Sequence, residues 1–257
     1  MTTVERLHAQ GQRLFAARSV VPLALVPFLM LALPESWRVQ SSLGATANRL
    51  CLSAALAIRL FRLALQAMAV AFAPDGTSSR DTHQLRATTL TTSGVYSVVR
   101  NPLYLGNALM WLGAVASLQV WWLVVVTALA YWLYIERVIL VEEAFLGRTF
   151  GANFSQWASR TPAFVPKVAQ WRPPAGRFSW RRLSTEHNGL LGFLATVTVL
   201  RAGAQVAAGG QPVSRWRADH ADLLALLMAA LALSIVSILA KRLARRTVSK
   251  PVSAPAA

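Results

Sequence analysis

Six apolar stretches constrain this chain more than any other feature. They occupy residues 19–34, 48–73, 103–119, 120–141, 188–207 and 221–240. Each reaches, or nearly reaches, the roughly 20 residues with which a helix rising about 1.5 Å per residue crosses about 30 Å of hydrocarbon. Composition agrees, because 55% of the 257 residues are hydrophobic and 14% are charged, whereas a soluble domain carries about 25% charged residues. The expected fold is an all-α, polytopic integral membrane protein with about six transmembrane helices. The first stretch is the shortest; basic residues before it and no small-residue cleavage site after it favour a retained helix over a signal peptide.

The chain holds 26 Lys and Arg against 10 Asp and Glu, a formal charge of +16. Such an excess suits nucleic acid or an anionic bilayer surface, and runs this apolar favour the bilayer, so no nucleic-acid partner is expected. Lys and Arg are retained on the cytoplasmic side of short loops. With the N-terminus inside, 19 of the 26 lie in the first segment, 74–102, the segment from Arg137 to 187, and the tail from Lys241. Arg38, Arg215 and Arg217 fall in outer loops, and Arg49, Arg59, Arg62 and Arg201 lie within apolar stretches. Both termini are therefore expected in the cytoplasm.

Only Ser117, Leu118 and Gln119 separate the third and fourth stretches, which must form a tight antiparallel hairpin. The polar segments on either side of that hairpin then meet at one membrane face, the cytoplasmic one. Prolines at 162, 166, 173 and 174 prevent a continuous helix over 161–182. This marks a boundary between a core of residues 1–170 and an appendage of 171–257 with two further helices. The single cysteine, Cys51, excludes an intramolecular disulfide and a cysteine-cluster metal site, and the scattered His8, His83 and His220 suggest no metal site either.

Two groups of residues flank the hairpin. In the first, Arg100-Asn101-Pro102 opens the third stretch, with proline where a missing N–H costs nothing and Asn101 at the N-cap. Arg100 lies beside that helix N-terminus, where an anionic group is readily held. In the second, Glu136, Glu142 and Glu143 place three of the ten carboxylates within eight positions at the inner end of the fourth stretch. If that helix stops there, its dipole disfavours Glu142 and Glu143. They call either for structural partners such as Arg137 and Arg148, or for a ligand's ammonium or hydroxyl groups.

Together these groups resemble the membrane methyltransferases related to isoprenylcysteine carboxyl methyltransferase and the phospholipid N-methyltransferases. Those enzymes show Gly-x-Tyr-x-x-x-Arg-His-Pro-x-Tyr-x-Gly, a helical hairpin, then Glu-Glu-x-x-Leu-x-x-x-Phe-Gly. The chain matches from Gly94 and Tyr96 through Arg100, Pro102, Tyr104 and Gly106, and again from Glu142-Glu143 through Leu146 to Phe150-Gly151. The likeness runs from about 94 to 166 and departs at Asn101, where the pattern has His. Asn can hydrogen-bond a carboxylate or an adenine edge but cannot become a cation.

The resemblance implies S-adenosyl-L-methionine as methyl donor and a lipophilic or membrane-associated acceptor: a prenylcysteine carboxylate, a phospholipid amine or a small thiol. It implies a donor site on the cytoplasmic face shaped by Tyr96, Asn101, Pro102, Tyr104, Leu105 and Gly106 on one side and by Glu142 and Glu143 on the other. Arg100, Glu142 and Arg148 are the implied catalytic residues. No Gly-x-Gly-x-x-Gly follows a strand pattern, so the soluble nucleotide-binding fold is absent from this reading. Two rivals remain: a sterol-reductase-like enzyme using a nicotinamide cofactor, and a non-catalytic membrane protein that kept the fold.

Fainter signals are Arg59, Arg62 and Gln66, at i, i+3 and i+7 on one face of the second stretch. They either snorkel to the surface or line a groove for an anionic headgroup or substrate carboxylate. Glu186 and His187 supply either a surface cap or a base. Trp111, Trp121, Trp122 and Trp132 read as interface belt or packing, with Trp121 and Trp122 at the hairpin tip.

Overall fold

The computed structural model describes residues 3–18, 20–72, 88–176, 178–179, 187–209 and 212–248. Its helices are α1 (Thr3–Ala16), α2 (Val26–Ala71), α3 (Pro102–Ala116), α4 (Trp121–Phe150), α5 (Ala152–Arg160), α6 (His187–Ala207), α7 (Val213–Asp219) and α8 (Ala221–Val248). A bilayer offers no partner for a free N–H or C=O, which is why sequence this apolar closes its hydrogen bonds within helices. Among the described residues, four helical stretches are long and apolar enough to cross a membrane: Val21–Ala69, Trp121–Phe150, Leu190–Ala207 and Ala221–Leu239; Pro102–Ala116 is a shorter apolar helix. The protein is an all-helical, polytopic membrane protein.

The first two apolar stretches turn out differently from their sequence boundaries. Helix passes through Pro34 without stopping, and the break falls at Gly44, with φ 74° and ψ 168°. Positive φ costs glycine little, so the chain can leave helical geometry there and nowhere nearby. The two halves of α2 then meet the same end of the bundle. Ser36 donates to the Leu118 carbonyl (2.7 Å), Asn48 to the Gln40 carbonyl (2.6 Å), and Gln119 to Asn48 (3.0 Å). From that end the second half runs the length of α3, through Ala55 beside Ala114 to Leu65 and Ala69 beside Leu103.

The α3–α4 hairpin forms as expected, closed by residues 117–120 with Gln119 at φ 62°. Its tip packs with Ala32 and Leu33 of α2 and Ala204 of α6, and Arg201 of α6 donates to the Ser117 carbonyl (3.0 Å). Phe193, Leu194 and Val197 of α6 lie between Ala55 of α2 and Leu223 and Ala230 of α8. Helices α6 and α8 thus share the core of the preceding helices. Trp122 donates to Glu35 (2.7 Å), and Trp121 is exposed, as a belt residue at the hairpin tip would be.

Arg59 and Arg62 do not snorkel: both are buried. The Arg59 guanidinium carbon lies 5.9 Å from the centre of the Phe193 ring, and Arg62 donates to Asn107 (3.2 Å). Gly106 makes room for this, because a Cβ there would stand 3.2 Å from Arg62 Cγ.

Candidate active site

At the opposite end of the bundle from the hairpin tip, residues 93–101 are hydrogen-bonded to residues 157–175. Gly94 N–H donates to the Arg172 carbonyl (3.0 Å), Lys167 N–H to the Val98 carbonyl (2.9 Å) and Arg100 N–H to the Pro162 carbonyl (2.9 Å). Side chains add to the seam: Trp157 Nε1 donates to the Tyr96 carbonyl (3.1 Å), Arg172 N–H to Ser97 Oγ (2.9 Å) and Ala175 N–H to Ser93 Oγ (3.1 Å). Gly94, at φ 62°, lets its strand approach Pro174, which a Cβ would meet at 3.2 Å. The prolines that forbid helix leave carbonyls free to accept these bonds. The meeting of the two polar segments across the hairpin is therefore a built structure.

Helix α4 continues to Phe150 instead of stopping at 141. Glu142 and Glu143 consequently sit two turns before its end, and the dipole penalty expected for a terminal carboxylate falls on neither strongly. Their roles divide. Glu143 is taken by Arg100: Nε donates to Oε1 (2.8 Å) and a terminal nitrogen to Oε2 (3.3 Å). The other terminal nitrogen of Arg100 donates to the carbonyls of Ala158 (2.5 Å) and Thr161 (3.0 Å). The guanidinium fork thus ties α3, α4 and the end of α5 together, a geometry that lysine cannot reproduce.

Glu142, one position earlier, faces another set of groups. Its Oε1 accepts from the Tyr104 hydroxyl (2.5 Å), and its Oε2 has no protein donor among the described residues. Tyr131 donates to the Tyr104 carbonyl (2.7 Å), fixing the turn of α3 that presents the phenol. Around this pair, Tyr131 packs edge-on to Trp111 and Tyr134 at 5.2 and 6.0 Å, and Trp111 stacks on Tyr134 at 6.4 Å. Trp132 makes an edge contact with Phe164 at 5.6 Å.

Tyr96 is half-buried, with its phenol in the field of Glu142. Burial first, and that carboxylate second, push it up to about 12. Tyr96 is thus a hydrogen-bond donor at neutral pH and no base. Below pH 10 the phenol is protonated whether the chain is folded or unfolded. As pH rises from 10 towards 12 the unfolded chain alone loses the proton, so folding stability falls in that window. Thermal midpoints recorded from pH 9 to 12 should drop less steeply for Tyr96→Phe than for the wild type; parallel curves would refute the burial of this group.

The residues singled out in the sequence thus fall into separate places. Tyr96, Tyr104 and Glu142 converge. Asn101 occupies the N-cap of α3 without capping it, and its amide donates instead to the Ala163 carbonyl (3.0 Å). Pro102 is fully buried at the first turn. Leu105 packs with Leu65 and Ala69, and Gly106 lies against Arg62, so both face α2. Arg148 is exposed and Glu136 makes a loose 3.8 Å pair with Arg137. Glu186 lies outside the described residues, as do His83 and the side chain of His187.

One neighbour had no sequence signal beyond being basic. Arg18 follows α1, which docks on α4 through Gly11 and through Gln10, the acceptor of an Arg137 bond (3.2 Å). Leu14 and Phe15 join the cluster of Tyr104, Tyr131 and Tyr134. The Arg18 guanidinium lies 4.7 Å over the Phe15 ring and acts electrostatically on Tyr104, Tyr134 and Glu142.

Residues 49–153 match the family model described as phospholipid methyltransferase. Over 92 residues the chain is 41% identical to the cobalt-zinc-cadmium resistance protein CzcN of Cupriavidus metallidurans, covering 36% of this chain and 41% of that protein. It is 38% identical over 87 residues to the nickel-cobalt-cadmium resistance protein NccN of Alcaligenes xylosoxydans xylosoxydans, covering 34% and 40%. It is 30% identical over 79 residues to the protein-S-isoprenylcysteine O-methyltransferase of Schizosaccharomyces pombe, covering 31% and 34%. The chain thus spans about two fifths or less of each of these relatives. No solved structure matches it. The matched residues run from the second half of α2 through the Arg100–Glu143 and Tyr104–Glu142 bonds, so this part of the chain is similar to the phospholipid methyltransferases and to an isoprenylcysteine methyltransferase.

Proposed function

We propose that this protein transfers a methyl group from S-adenosyl-L-methionine to a lipophilic acceptor, with the donor held between Glu142 and the hydrogen-bonded segments 93–101 and 157–175. The observation that carries the reading is the division of the two adjacent carboxylates. Arg100 neutralises Glu143 and holds the segments closed, while Glu142 keeps one oxygen for a ligand beside a phenol and an aromatic cluster. The donor's chemistry fits that set: its ribose hydroxyls and ammonium suit a carboxylate, and its sulfonium and adenine suit aromatic faces. Thr91 Oγ1, just before the first segment, and Gln170 Oε1, in the second, are buried atoms without a partner, and a polar ligand would satisfy such atoms.

When bound, the donor supplies an electrophilic methyl carbon for in-line displacement. The chain's part is to position the groups and keep water out. Tyr104 and Tyr131 fix the orientation of Glu142, and Asn101 secures the Ala163 carbonyl, so its replacement of His leaves a tether without a titrating group. Arg148 is an exposed cation available to an acceptor arriving along the bilayer surface.

In this reading the chain crosses the membrane six times, counting both halves of α2 and the shorter α3, with the site and both termini in the cytoplasm. Residues 1–170 form the methyltransferase core and α6 to α8 its appendage. Resistance to cobalt, zinc, cadmium or nickel, named for two relatives, is the setting in which we would seek the acceptor.

Calorimetric titration of S-adenosyl-L-methionine into detergent-solubilised protein tests the proposal. Micromolar binding by the wild type and a loss of about 100-fold in Glu142→Gln, with the melting temperature preserved, is expected; that factor is about 2.7 kcal/mol. A folded wild type that binds no donor would overturn the reading.

A further inference from the structure

The family segment begins at residue 49, yet the side chains around Glu142 are not all within it. Helix α1 lies 33 residues or more before that start, and it docks directly on α4. Its fit is specific. Gly11 sits so close to the Arg137 carbonyl that a Cβ would collide with it, and would also stand 2.6 Å from Val141 Cγ2. Glu142 is the residue that directly follows Val141 on α4. Docking α1 here therefore sets its C-terminal end beside the candidate site.

At that end Leu14 and Phe15 pack into the cluster containing Tyr104 and Tyr134, and Arg18 is drawn over the Phe15 ring at 4.7 Å. Three groups from two other helices, Tyr104, Tyr134 and Glu142, register its field. Arg100 is occupied by Glu143 and two carbonyls, and Arg148 is exposed. Arg18 is thus the arginine carried by Phe15 toward the cluster that contains Tyr104, the hydrogen-bond donor to Glu142. A ligand bearing an ammonium and a carboxylate on one carbon needs both signs close together. Glu142 offers one and Arg18 the other.

Resting on the proposed methyl donor, we infer that Arg18 binds the carboxylate of the donor's amino-acid end, so that the N-terminal segment completes a site otherwise built by residues 93–175. The contact is a charge-assisted hydrogen bond, in which a guanidinium suits the two carboxylate oxygens. It adds an anion-binding residue that follows a helix outside the family match.

The test compares two ligands on three proteins. S-adenosyl-L-methionine and its decarboxylated analogue are titrated calorimetrically into the full-length wild type, Arg18→Gln and Arg18→Lys. The inference expects Arg18→Gln to weaken binding of the carboxylate-bearing ligand about 10-fold or more, to leave the analogue within about 2-fold, and Arg18→Lys to recover part of the loss; 10-fold is about 1.4 kcal/mol. Equal weakening of both ligands would assign Arg18 to packing and overturn the inference, as would no weakening of either. Strong wild-type binding with either of those outcomes leaves the methyl-donor reading standing. Absence of wild-type binding to both ligands removes that reading and this inference together.

Discussion

Replacing Arg100 with Ala should cost about 3 kcal/mol of stability and open the seam between residues 93–101 and 157–175. The substitution strands the Glu143 carboxylate and removes the donor shared by the Ala158 and Thr161 carbonyls. Breaking a buried pair from one side costs about 3–5 kcal/mol, and the lower end applies because the two side chains keep 17% and 24% of their exposure. Thermal unfolding in detergent measures it. The double variant Arg100→Ala with Glu143→Ala should be more stable than Arg100→Ala alone, since no carboxylate is left stranded, and Arg100→Lys should recover only part of the loss. If Arg100→Ala unfolds at the wild-type temperature, the fork does not hold the seam. The prediction separates clamp from catalyst: a purely catalytic arginine would abolish transfer without moving the melting temperature.

Substituting Leu for Gly11 should detach α1 from α4 while leaving the α3–α4 hairpin folded. The Arg137 carbonyl and the Val141 methyl occupy the place of any side chain at this position, and both belong to a helix that cannot yield without losing its own hydrogen bonds. Overpacking of this kind costs about 1–3 kcal/mol, comparable to what docking one short amphipathic helix can return. Trypsin cleavage at Arg13 and Arg18 should then accelerate about 10-fold or more, the equivalent of about 1.4 kcal/mol in the opening equilibrium. Wild-type cleavage rates in Gly11→Leu would show that α1 does not rest on α4. Because Arg18 travels with α1, donor affinity should fall in the same variant, and Gly11→Ala should fall between the two.

The six apolar stretches identified the helices, and the three residues between the third and fourth identified the hairpin, because both are local properties: hydrocarbon requires each run to satisfy its own backbone, and a link that short permits one arrangement. The motif residues could be chosen for the same reason, since their spacing sets them at one end of the bundle. Boundaries were less legible. Pro34 looked like the end of a helix and lies inside one, while Gly44, unremarkable in composition, supplies the break, as the residue within α2 whose backbone takes positive φ. Polarity suggested that α4 stops at 141, yet partners for Glu142 and Glu143 exist two turns before its actual end, so the helix runs on.

What only the tertiary structure decided is which of several similar groups meets which. The sequence presents two adjacent glutamates, four tyrosines and several arginines near one membrane face, all chemically able to pair. Successive positions on α4 point about 100° apart. Glu143 therefore reaches Arg100 while Glu142 reaches Tyr104, a difference that residue type does not carry and helix packing does. Arg59 and Arg62 were equally able to snorkel or to face protein, and the absence of a side chain at Gly106 on α3 makes room for Arg62. Arg18 stood apart from every motif and is brought toward the cluster around Tyr104 because Gly11 admits the Arg137 carbonyl. Periodicity and charge act along the chain and fix elements; choice among equivalent partners depends on close approach between elements distant in sequence, and that is settled only when they pack.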